Sequence, residues 1–302
     1  METGTKEKVK KILSESGFDL SGVAPPEIFP HGDFFDGYLA SGFHAGMDYL
    51  AGTKAERMDP KKFFPRVKSI ICCAVSYNFH HDDETAEGEA MISRYANRRD
   101  YHFVLKEMLN KAAARIDGES KTCVDTGAVF EKWHSRGAGL GFIGKNTLLI
   151  NRRFGSWMFP GVILSSLEIE PDEPDDADGC GDCPLCIEAC PTGAITAPRV
   201  IDSRRCIAYL NNDNRGEIPA EFRGKLSGRL FGCDICQEVC PYNKNAGLSG
   251  CAALKPLFKR DSFQKQDILA MTETGFRSAF KETPVARRGL ERLKYTASLL
   301  QG

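Results

Sequence analysis

Apolar residues recur at helical spacing early in the chain and again after residue 100. The predicted helices cover residues 6–16, 101–116 and 129–136, and Gly17 ends the first of them. Short apolar runs rich in β-forming residues predict strands at residues 68–77, 148–151 and 161–169, the last two joined by a turn around Gly155. Alternation of helices and strands up to about residue 170 predicts an N-terminal α/β (α+β) domain.

Polar and proline-containing segments divide the chain further. Residues 80–89 are predicted to form an acidic loop, and residues 171–178 are acidic and broken by prolines, which predicts a linker. A cysteine-rich block follows from Cys180 to about Cys251, and residues from Ser262 onward are predicted to be helical. We therefore expect an α/β domain over residues 1–174, a ferredoxin-like domain over 175–254 and a short helical C-terminal segment over 255–302.

Composition bears on where the protein works and on what its cysteines do. The 302 residues include 12 cysteines and no run of 18 apolar residues, so we expect no membrane-spanning segment. The first residues lack the apolar core of a signal peptide, which makes the cytoplasm the expected location. In a reducing compartment, clustered cysteines are more often metal ligands than disulfides. Cys72 and Cys73 lie inside a predicted strand and are interpreted as small core residues.

The first cysteine motif has the spacing C-x2-C-x2-C-x3-C-P. Its members are Cys180, Cys183, Cys186, Cys190 and Pro191. The two-residue gaps let a tight loop wrap three corners of one 4Fe–4S cluster, while the fourth cysteine ligates a second cluster. A zinc site is the weaker alternative, because it needs only paired C-x2-C knuckles and no terminal Cys-Pro.

The second motif keeps only the last three cysteines and the proline, Cys233, Cys236, Cys240 and Pro241. Two clusters need eight thiolates, and the motifs supply seven. Cys206 is the preferred eighth ligand, and Cys251, which follows a glycine-containing turn, is the alternative. Crossed ligation then assigns Cys180, Cys183, Cys186 and Cys240 to cluster one. It assigns Cys190, Cys206, Cys233 and Cys236 to cluster two.

Short segments through nearly the whole chain carry a specific family resemblance. They are GFDLSGVA at 17–24, GMDYL at 46–50, RMDP at 57–60, SRYA at 93–96, DYH at 100–102, VDTG at 124–127, GLGFIGKNTLL at 139–149 and GSW at 155–157. Together with the cysteine motifs, they resemble the epoxyqueuosine reductases, the cobalamin-dependent enzymes that complete queuosine in transfer RNA.

The resemblance implies a cofactor set and a site. Base-off cobalamin would lie between the first domain and the nearer cluster, and electrons from an external donor would pass through both 4Fe–4S clusters to cobalt. The implied cobalamin contacts are Arg57, Tyr95, Asp125, Gly144, Lys145, Asn146, Cys236 and Gln237. Asp125 would also be the catalytic proton donor.

Elementary chemistry fits that role for Asp125. Removing an epoxide oxygen as water takes two electrons and two protons, and a positioned carboxylic acid can supply a proton. Burial over the apolar face of the cofactor is expected to raise the pKa of this carboxyl, so that it keeps its proton near neutral pH. The alternative is a turn or a helix cap, since Asp followed by Thr-Gly favours both.

The loop at residues 139–146 has two further interpretations. Gly139, Gly141 and Gly144 match a dinucleotide-binding pattern, but that pattern should open a helix, and here a strand-like run follows. We expect these glycines to let the backbone approach a large cofactor, with nicotinamide binding as the weaker alternative. Lys145 is either a pocket contact or an ordinary surface lysine.

The implied partner is the anticodon loop of transfer RNA. Net charge is −1, but residues 255–294 contain about twice as many Lys and Arg as Asp and Glu, which fits a polyanion or simply a solvated helix face. Arg215, Arg287 and Arg288 are the predicted phosphate contacts. Residues 290–300 depart from the family's usual ending.

Three hypotheses about function follow. The first is the RNA-modifying reductase that the resemblance implies. The second is a corrinoid and iron–sulfur reductase of a small molecule, such as a reductive dehalogenase. The third is an electron-transfer module that uses its first domain only for docking.

Overall fold

The computed structural model describes residues 4–80, 89–176 and 178–300. The predicted acidic loop at residues 80–89 lies almost wholly outside this part of the chain. In the described ranges, no helix combines the length and apolar character needed to cross a bilayer.

The elements are short and numerous. The strands are β1 (Leu20–Ala24), β2 (Ser69–Ser76), β3 (Glu89–Ile92), β4 (Ser120–Cys123), β5 (Phe142–Ile143), β6 (Leu149–Ile150), β7 (Met158–Ser165), β8 (Ile195–Ala197), β9 (Val200–Ile201), β10 (Arg229–Phe231) and β11 (Ser262–Gln264). The helices are α1 (Gly4–Glu15), α2 (Gly32–Ala40), α3 (Tyr49–Gly52), α4 (Lys54–Met58), α5 (Pro60–Phe63), α6 (Tyr101–Ala113), α7 (Glu131–Gly137), α8 (Leu185–Glu188), α9 (Ala220–Arg223), α10 (Ile235–Glu238), α11 (Pro241–Lys244), α12 (Lys265–Ala270), α13 (Glu273–Phe280) and α14 (Gly289–Leu299).

A four-stranded antiparallel sheet in the order β1-β2-β7-β4 forms the centre of the N-terminal part. All eight residues of β2 are buried and pair with β7, which confirms the predicted strand at residues 68–77. Successive side chains reach opposite faces of a sheet, so Cys73 packs against the core that contains α1 and α6. Cys72 packs into the core on the other face, beside α7. Both thiols are inaccessible to solvent and serve as core residues.

The predicted strand at residues 148–151 is not part of the main sheet. Its core, β6, pairs with β5 in a two-stranded hairpin and does not join β7 in the main sheet. Gly141 has a φ of 156°, and a Cβ there would lie 2.3 Å from the carbonyl oxygen of Ile150. Close approach of the protein's own backbone therefore requires glycine at this position, and the expected approach of a cofactor to this loop stays a prediction.

A second, three-stranded sheet in the order β10-β3-β11 joins distant parts of the chain. The prediction that the chain is helical from Ser262 onward is wrong at its start, because β11 pairs with β3 before α12 begins. The Phe263 ring packs against Phe258 and Phe280, with centroids 5.2 and 5.4 Å away, and this packing favours an extended segment. The sheet ties all three predicted parts together, and their boundaries stay a prediction.

The acidic segment after β7 is held against the folded chain by ion pairs. Asp172 pairs with Lys10 at 2.6 Å, and Asp175 pairs with Arg152 at 2.5 Å. Asp178 pairs with Arg199 at 2.8 Å. Each exposed pair contributes about 0.2–1 kcal/mol, but together they fix the path of the chain into the first cysteine motif.

Candidate active site

The eight predicted cluster ligands lie in two neighbouring groups. Charge interactions connect Cys186 and Cys240 with Cys180 and Cys183 in one group, and connect Cys190, Cys206, Cys233 and Cys236 in the other. Burial raises the pKa of Cys186, and repulsion between the thiolates of its group adds to this. Cys236 also interacts with Cys186, so the two groups adjoin each other. Among the described residues, no three His, Cys, Asp or Glu side chains are arranged to hold a metal ion, so the assignment of each cysteine to a cluster stays a prediction.

Cys251, the alternative eighth ligand, lies apart from these groups. It packs against the core of the main sheet. Burial raises its pKa, and the nearby acidic group that adds to this is Asp19, which belongs to the first domain. Cys206 instead interacts with Cys190 and Cys233.

The loop before β6 packs directly on both cysteine motifs. The backbone N–H of Lys145 donates to Cys180 Sγ at 3.4 Å, and Asn146 Nδ2 donates to the carbonyl oxygen of Cys236 at 3.3 Å. Asn146 is buried and also accepts a hydrogen bond from the N–H of Leu148. The loop thus brings the first domain against the cluster ligands.

A cleft of about 660 Å³ lies beside the turn that follows β4. Its lining combines residues from the first domain, from the π-helical turn Tyr209–Asp213 and from the C-terminal segment. Three of the predicted cofactor contacts, Arg57, Tyr95 and Asp125, lie in this lining. Gly144, Lys145, Asn146, Cys236 and Gln237 are not among the residues that line it.

Arg57 and Tyr95 are held firmly at the wall of the cleft. The Arg57 side chain is buried and donates to Thr53 Oγ1 at 2.9 Å and to the carbonyl oxygen of Val129 at 3.1 Å. Tyr95 accepts a hydrogen bond from Asn212 Nδ2 at 3.1 Å. Gln237 is engaged elsewhere, because its amide bonds Ser156 and Asp234 inside the protein.

Asp125 projects into the cleft from a turn two residues after β4. Its φ of 57° is in the left-handed region, which Asp adopts more readily than most residues. Its side chain is 60% exposed, and Oδ2 accepts hydrogen bonds from Tyr101 Oη at 2.8 Å and from His102 Nε2 at 3.0 Å. In the described structure this carboxylate caps no helix, so of the two non-catalytic alternatives only the turn applies.

The ionisation of Asp125 differs from the expectation. Desolvation acts to raise the pKa of Asp125, but the hydrogen bonds from His102 and Tyr101 have the larger combined effect. The pKa of Asp125 therefore lies below its ordinary value. The expected rise in the pKa of Asp125 is therefore not found. The pKa of His102 is raised instead: desolvation opposes protonation, but the hydrogen bonds to Asp100 and Asp125 prevail.

His102 is itself held by a second carboxylate. Asp100 is the N-cap of α6 and accepts from the backbone N–H of His102 at 3.0 Å. The same oxygen lies 2.8 Å from His102 Nδ1, and Asp100 Oδ2 accepts from Arg287 Nε at 2.6 Å. The helix start thus places an ordered row of charged groups behind Asp125.

Sequence reasoning gave no role to two charged groups beside Asp125. Lys132 donates to the carbonyl oxygen of Thr147 at 2.8 Å and interacts electrostatically with both Asp125 and Cys236. Loss of water contacts lowers the pKa of Lys132, whereas the surrounding negative charges act to raise it. Burial raises the pKa of Asp213, which also lines the cleft. A lone Lys or Asp outside any motif gave no signal, but the DYH segment contained His102.

The predicted RNA contacts surround the same cleft. Arg287 and Arg288 line it, and both are already paired, Arg287 with Asp100 and Arg288 with Asp213. Arg215 is exposed, two residues beyond Asp213.

Comparisons with known proteins agree on one family. A family model described as "Epoxyqueuosine reductase QueG, DUF1730" matches residues 57–126, and one described as "4Fe-4S double cluster binding domain" matches residues 179–243. The epoxyqueuosine reductase of Pseudomonas aeruginosa is 34% identical over 296 residues, covering 95% of this chain and 82% of that protein. The Leadbetterella byssophila enzyme is 35% identical over 293 residues, covering 95% of both.

Solved structures give the same result. A crystal structure of epoxyqueuosine reductase with an epoxyqueuosine-modified stem loop of tyrosine transfer RNA superposes with a TM-score of 0.89, at 29% identity, covering 97% of this chain and 80% of that one. The Bacillus subtilis enzyme, in a structure with its catalytic aspartate loop swung out of the active site, gives a TM-score of 0.86 at 28% identity, with the same coverage.

Proposed function

The chain belongs to the epoxyqueuosine reductase family, and from this premise we propose that it reduces the epoxide of epoxyqueuosine at the wobble position of transfer RNA. Family membership makes the protein a reductase with a double 4Fe–4S cluster-binding domain. The proposal adds the substrate in its RNA context, cobalamin as the second cofactor and Asp125 as the group that protonates the epoxide oxygen. We also propose that it acts in the cytoplasm with an external electron donor.

One observation carries the proposal. Asp125 stands in a cleft of about 660 Å³, held there by Tyr101 and His102. Lys132 interacts electrostatically with this carboxylate and with Cys236, one of the predicted cluster ligands. An acid beside an electron-transfer centre is the arrangement that a reaction consuming electrons and protons together requires.

The residues present suit both kinds of cofactor. The two groups of four cysteines provide the eight thiolates that two 4Fe–4S clusters need. For cobalamin, whose amide side chains need hydrogen-bond partners, the cleft provides the buried Arg57 and the half-buried Tyr95 and Asn212. We propose Gly144, Lys145 and Asn146, which pack on the cysteine motifs, as its contacts on the cluster side. Bound cobalamin would supply the reducing electrons at this site.

The protein's own part in the reaction is to orient the substrate and deliver protons. Tyr101 and His102 both bond Asp125 Oδ2, which fixes the carboxylate. A relative has its catalytic aspartate on a loop that swings out of the site, and the left-handed turn at Asp125 is likewise a short loop and not part of a rigid element.

Substrate recognition fits single-stranded RNA. An enzyme that acts on a base must take it out of the stack, and loop bases cost least to extrude. We propose that Arg215 contacts loop phosphates beside the cleft, and that Arg287 and Arg288 do so from its rim. A relative was crystallised with a modified transfer RNA stem loop, which supports this class of substrate.

The test compares substrates on the reconstituted protein. Anaerobic enzyme loaded with iron, sulfide and cobalamin is given a reductant and epoxyqueuosine-containing RNA, the free modified nucleoside, or a halogenated phenol. We expect loss of one oxygen from the RNA-bound nucleoside at a rate far above that of the other two. Turnover of the halogenated phenol alone would instead indicate the small-molecule reductase, and electron transfer without product would indicate the docking module.

A further inference from the structure

Four side chains form a continuous hydrogen-bonded row that begins at Arg287 and ends at Asp125. Arg287 Nε donates to Asp100 Oδ2 at 2.6 Å, and Asp100 Oδ1 lies 2.8 Å from His102 Nδ1. His102 Nε2 lies 3.0 Å from Asp125 Oδ2, at the end that faces the substrate. Both ring nitrogens of one imidazole are thus in contact with carboxylates.

We propose that His102 is the proton reservoir of the reaction, holding its imidazolium between Asp100 and Asp125 and recharging Asp125 after each proton that Asp125 gives to the epoxide oxygen. The inference rests on the proposed function, because it assigns a positioning residue to the same site. It makes Asp125 the last member of a relay and not an isolated acid.

The geometry requires a proton between His102 and Asp125. Asp100 is buried and accepts from both the backbone N–H of His102 and Nδ1, so the imidazole is held in one orientation with Nδ1 as the donor. A neutral imidazole would then present a bare Nε2 to a carboxylate oxygen, and two acceptors do not form a hydrogen bond. The 3.0 Å contact therefore contains one proton, which is held either by Nε2 or by Asp125 Oδ2.

The proton count of the reaction makes a reservoir necessary. Reduction of the epoxide breaks both carbon–oxygen bonds, forms the carbon–carbon double bond and releases water, with two electrons and two protons consumed. The electrons come from the external donor of the proposed reductase. Asp125 has one transferable proton, so it must be recharged between the two deliveries. His102 Nε2 passes its proton to Asp125 Oδ2, and the imidazole, 15% exposed, regains one from solvent.

Charged groups from several elements face this pair. Asp100 is the N-cap of α6 and Tyr101 its first residue, Asp125 comes from the turn after β4, and Arg287 from the C-terminal segment. Lys132 and Asp213 act on Asp125 from α7 and from the π-helical turn. The carboxylates around His102 raise its pKa, whereas the Arg287 charge opposes them. Protonated His102 is lost as pH rises through this raised pKa, so the rate should fall on the alkaline side.

The kinetic test uses three variants of the loaded enzyme. His102→Gln keeps a hydrogen-bonding side chain but has no titratable proton. We expect its single-turnover rate to fall by about 10²-fold, the lower end for loss of an acid–base group. The alkaline limb of its pH profile should disappear, while RNA affinity, iron content and Tm stay at wild-type values. Added imidazole should restore part of the rate to His102→Ala. Lys106→Gln, which removes an exposed cation one turn along α6, is the matched control and should behave like wild type.

Two kinetic outcomes would overturn the proposal. One is a His102→Gln enzyme with a wild-type rate and an unchanged alkaline limb. The other is a loss of rate that follows lost RNA affinity or lowered Tm with the pH profile intact, since this indicates a structural role only.

A spectroscopic measurement decides the proton's position without turnover. The His102 ring in isotope-labelled, cluster-loaded wild type should titrate above the ordinary histidine range, and its midpoint should fall in both Asp100→Asn and Asp125→Asn. A neutral His102 ring at pH 7 would refute the reservoir. If the wild-type enzyme fails to convert the RNA, the proposed function fails, and the titration still decides where the proton lies.

Discussion

Asp125 owes its chemistry to partners that lie far away in the sequence. The VDTG segment favours a turn at this position, and the structure adds that Asp125 has a left-handed backbone there. Its ionisation could not be predicted, since Tyr101 and His102 reach it only when the start of α6 packs beside the end of β4. The resemblance therefore indicated the acid, but only the structure revealed the base behind it.

Substitution of Asp125 by Asn separates an acid from a simple turn residue. Asn tolerates the left-handed conformation about as well as Asp, so folding and cluster content should not change. Epoxide reduction should fall by about 10²–10⁴-fold, the range for loss of a general acid. Turnover at the wild-type rate, with iron and corrin occupancy measured as equal, would remove Asp125 from the mechanism.

The identity of the eighth cluster ligand is a prediction that single substitutions can test. The spacing left both Cys206 and Cys251 open, and Cys206 stays the preferred prediction because it interacts with Cys190, whereas Cys251 interacts with Asp19. We expect Cys206→Ser to lower the iron content from about eight to about four atoms per chain after anaerobic reconstitution. Cys251→Ser is the matched control and should keep the full content. The reverse pattern of iron loss would make Cys251 the ligand.

At the level of elements, helices and strands determined by their own residues could be predicted, whereas a strand that depends on pairing with a distant segment could not. The buried run of β2 and the periodicity of α1 and α6 predict these elements because their own residues determine them. β11 could not be predicted, because it is extended only through pairing with β3, some 170 residues earlier. The predicted strand at residues 148–151 contains β6, but β5 and its pairing with β6 were missed, because two residues carry too little pattern.

The C-terminal segment is predicted to stabilise the cluster-binding part. Phe280 is fully buried in the core that also contains Leu230 and Phe231, just before Cys233. Phe280→Ala should therefore destabilise the protein by about 3–5 kcal/mol and lower the Tm of the loaded enzyme. Leu257→Ala, at a half-exposed position in the same segment, should change stability by less than about 0.5 kcal/mol. An unchanged Tm for Phe280→Ala would mean that the segment folds independently of the cluster ligands.

On the scale of the whole molecule, the basic residues Arg287 and Arg288 line the cleft, and the cysteine groups belong to the part of the chain between the first domain and the C-terminal segment. The cysteine spacing alone predicted the two groups, since ligand geometry is written in short intervals. The composition of the cleft could not be predicted, because its lining comes from the first domain, the Tyr209–Asp213 turn and the C-terminal segment together. The ion pairs of the predicted RNA contacts could not be predicted either: Arg287 pairs with Asp100, and Arg288 pairs with Asp213.

RNA binding is best tested at Arg215. Substitution of Arg287 or Arg288 would release Asp100 or Asp213 and disturb the cleft, whereas Arg215 is exposed. We expect Arg215→Ala to weaken RNA binding and to reduce the slope of log Kd against log salt by about 1. Arg277→Ala, with a side chain 82% exposed on α13, is the control for nonspecific loss of charge. Equal salt slopes for wild type and Arg215→Ala would exclude this phosphate contact.

The central claim is that one chain couples two clusters, cobalamin and the Asp125 relay to remove a single oxygen from a modified base in RNA. The most direct measurement is a single-turnover reaction of the anaerobic, fully loaded enzyme with epoxyqueuosine-containing RNA, in which product and consumed electrons are counted together. The account predicts one queuosine formed for every two electrons, with no product when cobalamin is omitted. Formation of queuosine without cobalamin, or oxidation of the clusters with the epoxide left intact, would contradict it.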